Sequence, residues 1–176
     1  MQKLLKDTLI ICAMREEFSS GKYAPILFYS GIGKVNAAIT ATTLIHSLKP
    51  KTIINIGTVG CSREDLAGGI ECGVFYQRDL VLSGSIQVES VVTKNGLASC
   101  GTGDSFMKDP ISDYDVVDME SFAIAKVCKM NQVNFLCYKY ITDHLNKQGY
   151  NDWKSNISNG QTYFISKIND YFQNSV

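Results

Sequence analysis

The fold is decided by one continuous stretch, Tyr114-Asp-Val-Val-Asp-Met-Glu-Ser-Phe-Ala-Ile-Ala-Lys-Val-Cys-Lys-Met130. Its first four residues are typical of a strand, and the apolar residues that follow predict a helix over 119–130. A second strand is predicted over 133–141, and it ends in Thr142-Asp143. Strands that alternate with a helix in this way predict a sheet with helices packed on it.

Three acids lie where such a pattern places ligands. Glu120 stands in the first turn of the predicted helix, whose N-terminus offers unpaired N–H groups and a partial positive charge. A carboxylate held ionised there can accept two hydrogen bonds from a vicinal diol, which is what a ribose presents. Asp143 stands at the carboxyl end of a strand, where open α/β sheets bind their ligands. Glu17 follows the first predicted strand. On position alone, a helix cap is the commoner role for each of the three, and a catalytic group is the alternative.

The rest of the chain continues the alternation. A helix is predicted over 35–48, and a last helix carries the apolar face Phe164, Ile165, Ile168, Tyr171 and Phe172. Further strands are predicted at 8–14, 25–29, 52–56, 74–76, 85–93 and 97–100, with 52–56 ending in the turn Gly57-Thr-Val-Gly60. The elements predict an α/β fold with three layers, α/β/α, around a central mixed, mostly parallel sheet. We expect a single domain over residues 1–176.

Composition narrows the class of protein. The 17 basic and 17 acidic residues give a formal net charge of zero, so nothing points to nucleic acid or an anionic membrane surface as a partner. No apolar run reaches eighteen residues, and the segment 1–7 leads straight into a strand, so we expect neither a membrane span nor a signal peptide. Six cysteines without C-x-x-C spacing favour free, buried thiols of a cytoplasmic protein. His46 and His144 are too few for a metal site, and no cofactor is indicated.

Two glycine-rich segments are ambiguous by themselves. Gly31-Ile-Gly33, followed by Lys34, suits either a phosphate cradle or a plain tight turn before a helix. Gly101-Thr-Gly-Asp-Ser-Phe106 matches a dinucleotide fingerprint only superficially, because it comes late in the chain and has Phe in the sixth position. Phe106 itself suits either a core position or stacking on a flat base.

Six segments, taken together and in order, carry a family resemblance. They are Ala13-Met14-Arg15-Glu16-Glu17, Ser30-Gly-Ile-Gly-Lys-Val-Asn-Ala-Ala38, Ile54-Asn-Ile-Gly-Thr-Val-Gly60, Gly103-Asp-Ser-Phe106, Val117-Asp-Met-Glu-Ser-Phe-Ala-Ile-Ala125 and Ile141-Thr-Asp143. The set resembles the purine nucleoside phosphorylase/uridine phosphorylase superfamily, and within it the 5′-methylthioadenosine/S-adenosylhomocysteine nucleosidases. The resemblance runs from Leu9 to about Asp143. It implies a nucleoside phosphorylase-like fold, hydrolysis of an adenine nucleoside and a homodimer.

The resemblance also implies a role for each matching residue. Glu17 would activate the attacking water, and Asp143 would protonate purine N7 and contact the exocyclic amine. Glu120 would bind the ribose hydroxyls. The implied substrate-binding residues are Met14, Thr58, Phe106, Met107, Met119, Glu120 and Lys139. Among these, Phe106 would stack on the base, Met107 would offer backbone hydrogen bonds to its edge, and Met119 would pack on the sugar. Thr58 falls near the anomeric carbon.

The chemistry gives these roles a physical basis. Cleavage of an N-glycosidic bond needs a neutral leaving group, so a proton must reach the purine, while a carboxylate stabilises the oxocarbenium-like sugar. Asp143 must therefore hold a proton when substrate is bound, which requires burial or a neighbouring negative charge. Glu17 should be ionised to act as the base. An Asp at position 143, where related enzymes for 6-oxopurines favour Asn, points to adenine.

The chain also departs from the family pattern. It is short between Glu17 and Pro25 and again over 79–97, a region that in relatives helps to form the 5′ pocket and the dimer contact. The 5′ substituent therefore stays open. Lys139 stands where relatives have an Arg, and Asp118 where many have Glu. A Lys–Asp pair would lack the bidentate fork of an Arg–Glu pair.

Water is favoured over phosphate as the attacking group. The three arginines, Arg15, Arg63 and Arg78, lack the G-x-P-x-R context of phosphorylases, and Glu17 would repel phosphate. Arg78 suits either an anionic 5′ group such as a nucleotide phosphate or an exposed salt bridge. The alternatives to an adenine nucleosidase are a phosphorylase or AMP-type nucleosidase of the same fold, and an inactive nucleoside-binding relative.

Overall fold

The structure is a computed structural model that describes residues 7–80, 89–94, 96–107, 109, 113–145 and 149–174. Its strands are β1 (Thr8–Cys12), β2 (Leu27–Tyr29), β3 (Thr52–Cys61), β4 (Gly68–Gln77), β5 (Ser90–Val92), β6 (Ala98–Thr102), β7 (Val116–Asp118) and β8 (Asn134–His144). Its helices are α1 (Lys34–Leu48), α2 (Ser121–Met130), α3 (Gly149–Asn156) and α4 (Gln161–Asn174).

The strands form one mixed sheet. The parallel pairs are β1–β2, β1–β3, β3–β8, β4–β6 and β6–β7, and the antiparallel pairs are β3–β7, β4–β5 and β4–β8. The prediction of a mixed, mostly parallel sheet is confirmed. The pairing also closes a ring through β3, β8, β4, β6 and β7, so the middle of the sheet curls on itself as a barrel does.

Helices cover both faces of the sheet, as the three-layer prediction requires. On one face of β8, Cys137 contacts Ser121 of α2, with 3.4 Å between sulfur and hydroxyl oxygen. On the other face, the ring of Tyr140 packs on Tyr163 of α4, with 6.4 Å between centroids. Residues of opposite parity on a strand point to opposite faces. A strand covered on both faces is apolar without alternation, which explains why all five residues of β1 are buried.

The buried side chains form one core that both helical layers share. Phe164 and Ile168 of α4 and Ala37 and Ala41 of α1 are fully buried in it. All six cysteines are free and buried, which confirms that part of the prediction. None of the helices in the described ranges has the length and apolar character needed to cross a membrane.

The structure differs from the predicted elements in two places that matter for the site. The strand predicted at 52–56 continues through the expected turn to Cys61, because residues 57–61 keep pairing with β8 and then with β7. Helix α3 was not predicted, since Gly149–Asn156 is short and has few apolar residues. Of the strand predicted over 85–93, residues 90–92 form β5, and residues 85–88 lie outside the described residues.

Candidate active site

A cavity of about 310 Å³ lies where β1, β3, β7 and β8 end and α3 begins. It brings together eight of the nine residues predicted from the sequence: Met14, Glu17, Thr58, Phe106, Met107, Met119, Glu120 and Asp143. Lys139, the ninth, does not line it. The three acids Glu17, Glu120 and Asp143, which are far apart in the chain, therefore share one cavity.

Glu17 is a buried carboxylate held by donors on both oxygens. Its Oε1 accepts hydrogen bonds from the backbone N–H of Thr58 at 2.8 Å and from the Thr58 hydroxyl at 2.7 Å. Its Oε2 accepts longer contacts from the Met14 N–H at 3.3 Å and the Cys12 thiol at 3.4 Å. Thr58 can reach Glu17 only because β3 continues past residue 56. The extension of this strand is what fixes the orientation of Glu17.

Glu120 lies at the N-terminus of α2, as the sequence predicts, but its carboxyl group bonds to the N-terminus of a different helix. It is the N-cap residue of α2 and makes no side-chain cap there. Its Oε1 instead accepts the N–H of Gly33, the N-cap residue of α1, at 2.9 Å. Gly33 has φ = 97°, a conformation that favours glycine. The cap of α2 is supplied by Asp118, whose Oδ2 accepts the N–H of Ser121 at 2.9 Å.

The surroundings of Glu120 favour the protonated form of its carboxyl group. Burial raises the pKa of Glu120 to about 8, and the nearby charge of Asp118 adds to the rise. Lys139 and the Gly33 N–H oppose the shift but do not cancel it. Burial is the main cause, and Lys139, whose charge is paired with Asp118, offsets only part of it.

Asp118 and Lys139 form a fully buried ion pair behind the cavity. Their nearest charged atoms are 3.0 Å apart, and each side chain is 1% exposed. Burial disfavours the ionised form of Asp118, but Lys139, Ser121 and Thr102 outweigh it and hold the pKa of Asp118 below its ordinary value. Burial likewise opposes the charge of Lys139, yet Asp118 keeps the pKa of this lysine well above its usual range. The pair is satisfied without any ligand.

Asp143 is the opposite case. Its Oδ1 accepts a hydrogen bond from the Thr142 hydroxyl at 3.0 Å, but its buried Oδ2 has no hydrogen-bond partner within the described part of the chain. Burial raises the pKa of Asp143 to about 6, and the charge of Asp152 adds to the rise against the opposing Thr142 and His144. A carboxyl group with a raised pKa and an unpaired oxygen, on a residue that lines a cavity, is suited to donate a proton.

Three aromatic rings line part of the cavity wall. Phe106 meets Tyr150 edge to face, with centroids 5.7 Å apart, and Trp153 at 6.2 Å. Tyr150 and Trp153 both come from α3, the helix that the sequence analysis missed, and both line the cavity. Two aromatic residues spaced three apart are the one signal that could have identified them.

The loop that carries Phe106 is held by Arg78. The Arg78 guanidinium donates to the carbonyl of Gly103 at 3.1 Å, to the hydroxyl of Ser105 at 3.2 Å and to the carbonyl of Ser105. The next residue, Asp79, accepts the N–H of Asp104 at 2.9 Å. Arg78 lines the cavity, yet its two terminal nitrogens are engaged by this loop. The residue therefore acts on the loop, in contrast to the exposed salt bridge that the sequence left open.

Lys34 binds the same loop from the N-terminus of α1. Its backbone N–H donates to Asp104 Oδ1 at 2.8 Å, and its ammonium group pairs with Asp79 and lies 3.5 Å from Asp104 Oδ2. Of the two interpretations of the glycine segment before Lys34, the turn that starts α1 is the one observed, and its N–H groups bind protein carboxylates. In the described ranges, no group of three His, Cys, Asp or Glu side chains could hold a metal ion.

Comparison with known proteins agrees with this architecture. The sequence profile of the phosphorylase superfamily matches residues 6–85. The 5′-methylthioadenosine/S-adenosylhomocysteine nucleosidase of Bacillus velezensis is 31% identical over an alignment of 189 positions, gaps included, which covers 84% of this chain and 81% of that protein. The enzyme of the same name from Bacillus subtilis is 31% identical over 76% of this chain and 75% of its own.

Solved structures show the same fold at lower identity. A Helicobacter pylori futalosine hydrolase superposes with a TM-score of 0.81 at 18% identity, covering 96% of this chain and 99% of that one. A mutant Helicobacter pylori nucleosidase with 5′-methylthioadenosine in its active site superposes with a TM-score of 0.81 at 18% identity, covering 94% and 98%. The family resemblance of the six motifs is confirmed by the 31% identity to the Bacillus velezensis enzyme over 84% of the chain: this protein belongs to the 5′-methylthioadenosine/S-adenosylhomocysteine nucleosidase family of the phosphorylase superfamily.

Proposed function

We propose that this protein hydrolyses the N-glycosidic bond of a 5′-modified adenosine, of the 5′-methylthioadenosine or S-adenosylhomocysteine type, and releases adenine and a ribose derivative. The observation that carries the proposal is the convergence of Glu17, Glu120 and Asp143 on one cavity. Its volume of about 310 Å³ is at the small end of the range for ligand sites.

At one end of the cavity, the base would lie against Phe106 with Asp143 beside its imidazole edge. The raised pKa of Asp143 and its unpaired Oδ2 support a role as the acid that protonates purine N7. Protonation turns the departing adenine into a neutral leaving group. The backbone of Met107, which also lines the cavity, supports recognition of the purine edge.

At the other end, the ribose would lie between Met119, Glu120 and Glu17. Glu120 would take both ribose hydroxyls, and these donors favour its ionised form because hydrogen bonds to a carboxylate lower its pKa. Glu17, oriented by Thr58 and Met14, would accept the proton of the attacking water. General base catalysis of this kind contributes about 10²- to 10⁴-fold to the rate.

The arrangement of charge supports water over phosphate as nucleophile. Arg78 is the one arginine that lines the cavity among the described residues, and its terminal nitrogens bind Gly103 and Ser105. A phosphate near Glu17 would meet a buried carboxylate with no free guanidinium to offset the repulsion. Phosphorolysis and cleavage of AMP are therefore the less favoured alternatives.

We also propose that the protein works as a homodimer in the cytoplasm. The six free, buried thiols support a reducing compartment. Helix α1 exposes Val35 and Ile39, one turn apart and 68% and 61% exposed, next to the half-exposed Ile32 that lines the cavity. An apolar stripe beside the cavity mouth supports a subunit contact there. Sedimentation of the wild type at the mass of one chain would refute the dimer.

The test of function is a substrate panel with detection of free adenine. Methylthioadenosine, S-adenosylhomocysteine, adenosine, AMP and inosine are each incubated with and without phosphate. We expect adenine from the first two without phosphate, and a loss of about 10²- to 10⁴-fold in turnover for Glu17→Gln. Ribose 1-phosphate, a preference for AMP, or tight adenine binding without turnover would each establish one of the alternatives. Full turnover by Glu17→Gln would exclude the mechanism.

A further inference from the structure

Trp153 is hydrogen-bonded into the network that holds Glu17. Its indole Nε1 donates to the Thr58 hydroxyl oxygen at 3.1 Å. The same hydroxyl lies 2.7 Å from Glu17 Oε1. Thr58 is 8% exposed and Glu17 is 5% exposed, so these contacts are shielded from solvent. A three-membered chain therefore runs from helix α3 across β3 to the carboxylate.

The chemistry of the three groups fixes the direction of every proton in this chain. An indole N–H can only donate, and an ionised carboxylate can only accept. The Thr58 hydroxyl must therefore accept from Trp153 and point its own proton at Glu17. Without the indole, the hydroxyl would be free to rotate and donate elsewhere.

We propose that Trp153 is a positioning residue for the reaction and that it acts on Glu17 through Thr58. The proposal rests on the function proposed above. By filling the acceptor site of Thr58, Trp153 commits the Thr58 hydroxyl to Oε1, together with the Thr58 backbone N–H at 2.8 Å. Both lone pairs of Oε1 are then occupied, and the plane of the carboxylate is fixed before the substrate arrives. Preorganisation of this kind raises kcat.

The position of Trp153 also links Glu17 to the base site. Its ring packs on Phe106 and on Tyr150, with centroids 6.2 Å and 5.7 Å away. A base that stacks on Phe106 therefore contacts the aromatic group whose indole orients Thr58. A variant of Trp153 can therefore act by losing the N–H or by losing these ring contacts, and the two effects have to be separated by experiment.

A spectroscopic experiment tests the hydrogen bond without any need for catalysis. Trp153 is the only tryptophan of the chain, so one indole N–H signal appears in a ¹⁵N-correlated NMR spectrum. In the wild type we expect this proton to exchange slowly with solvent. In Thr58→Val the chemical shift of the indole proton should change and its protection from exchange should be lost. In Thr58→Ser the wild-type chemical shift and the protection should both be kept. An indole signal that is unchanged in Thr58→Val would overturn the proposal.

Kinetics then test the route through Thr58. We expect Trp153→Phe to lower kcat about 3- to 10-fold, the worth of one hydrogen bond, with KM within about twofold of wild type. Thr58→Val should lower kcat about 10- to 100-fold, because it removes a donor to a buried carboxylate. Thr58→Ser, which keeps the hydroxyl, should retain most of the wild-type kcat.

The double variant decides between positioning and packing. If Trp153 acts through Thr58, the double variant Trp153→Phe/Thr58→Val should have the same kcat as Thr58→Val alone. If the two residues act independently, the fold-losses in kcat of the single variants should multiply in the double variant. Multiplied losses would overturn the proposal. Lys154→Gln, exposed on the same helix, is the control for general disturbance of α3. A wild type that releases no adenine refutes the proposed function, and the NMR result still decides the hydrogen bond.

Discussion

The buried acids at the two ends of the cavity differ in how completely their carboxylate oxygens are paired. At the end proposed for the ribose, Glu120 lies in front of the buried ion pair of Asp118 and Lys139. This pair is complete: Lys139 lies 3.0 Å from Asp118, and Thr102 and Ser121 donate to the same carboxylate. At the base end, which comprises Phe106 and Asp143, one carboxylate oxygen is buried with no partner in the described ranges.

The difference separates an acid that holds the structure together from one that is available to a substrate. A buried charge is tolerated when it is paired, and removal of one partner of the pair then destabilises the fold. Asp143 has one oxygen with no partner in the described part of the chain, so its replacement removes little stability, and its raised pKa leaves a proton available for transfer. The two ends should therefore respond to mutation in different observables.

The largest effect is expected at the base end. Asp143→Asn should lower turnover about 10²- to 10⁴-fold, because the amide cannot supply a proton to the leaving group. Its melting temperature should stay close to that of the wild type, since Oδ2 has no hydrogen bond to lose. Adenine release and thermal unfolding are the two measurements.

The pH dependence provides the control for this variant. Since the pKa of Asp143 is about 6, the proton is bound below that pH and is lost as pH rises through it. The kcat/KM of the wild type should therefore fall as pH rises above about 6, and this limb should be absent in the variant. A variant that melts far below the wild type would mean that Asp143 is a structural acid, and the contrast between the two ends would collapse.

The next largest effect is on stability, at the ribose end. Lys139→Met leaves Asp118 buried without its cation and should lower the free energy of unfolding by about 3–5 kcal/mol. Chemical denaturation measures it. Lys51→Met, at an exposed ion pair with Asp7, is the matched control and should cost less than about 1 kcal/mol. Equal losses in the two variants would show that the buried pair is not what stabilises this end.

A smaller effect is expected at the loop of the base end. Arg78→Met removes the donors that hold Gly103 and Ser105, so we expect KM to rise about 5- to 20-fold while kcat changes little. Steady-state kinetics and the affinity for free adenine report this split. Arg63→Met, at a surface arginine, should leave both values unchanged. A loss confined to AMP would instead assign Arg78 to a phosphate group.

The smallest effect is a change in bound protons. With a pKa of about 8, Glu120 is protonated at pH 7, and hydrogen bonds from a ribose diol favour its ionised form. Binding of a C-glycosidic adenosine analogue should therefore release up to about one proton more than binding of adenine does. Calorimetry in buffers of different ionisation enthalpy measures the difference. Glu120→Gln should abolish it, and equal proton release by both ligands in the wild type would mean that the diol does not ionise Glu120.

The elements predicted best are those whose local pattern and tertiary setting agree. The strand at 8–14, the helix at 35–48 and the helix at 119–130 are present within a few residues of their predicted bounds. The predicted end of β3 was wrong because Gly57 and Gly60 look like a turn in isolation. Long-range pairing with β8 holds them in a strand. Helix α3 was missed because it is mostly polar, so its sequence pattern does not mark it as a helix, and only its contacts in the folded structure do.

The acids show the same division. Their order and spacing within six motifs were enough to group Glu17, Glu120 and Asp143. The helix that Glu120 contacts was assigned wrongly, since it bonds to the N-terminus of α1, 87 residues away in the chain. A contact between residues so far apart in the chain leaves no local sequence pattern, because any helix N-terminus that lies close to the carboxylate could bind it.

By itself, the sequence determined the fold class, the family and the set of acids, because apolar periodicity and short motifs are written along the chain. Only the tertiary structure decided which acid is paired, which is left with an unpaired oxygen, and how Trp153 reaches Thr58. Burial and hydrogen-bond geometry depend on segments that meet only after folding, and these two quantities set the protonation of a buried carboxyl group.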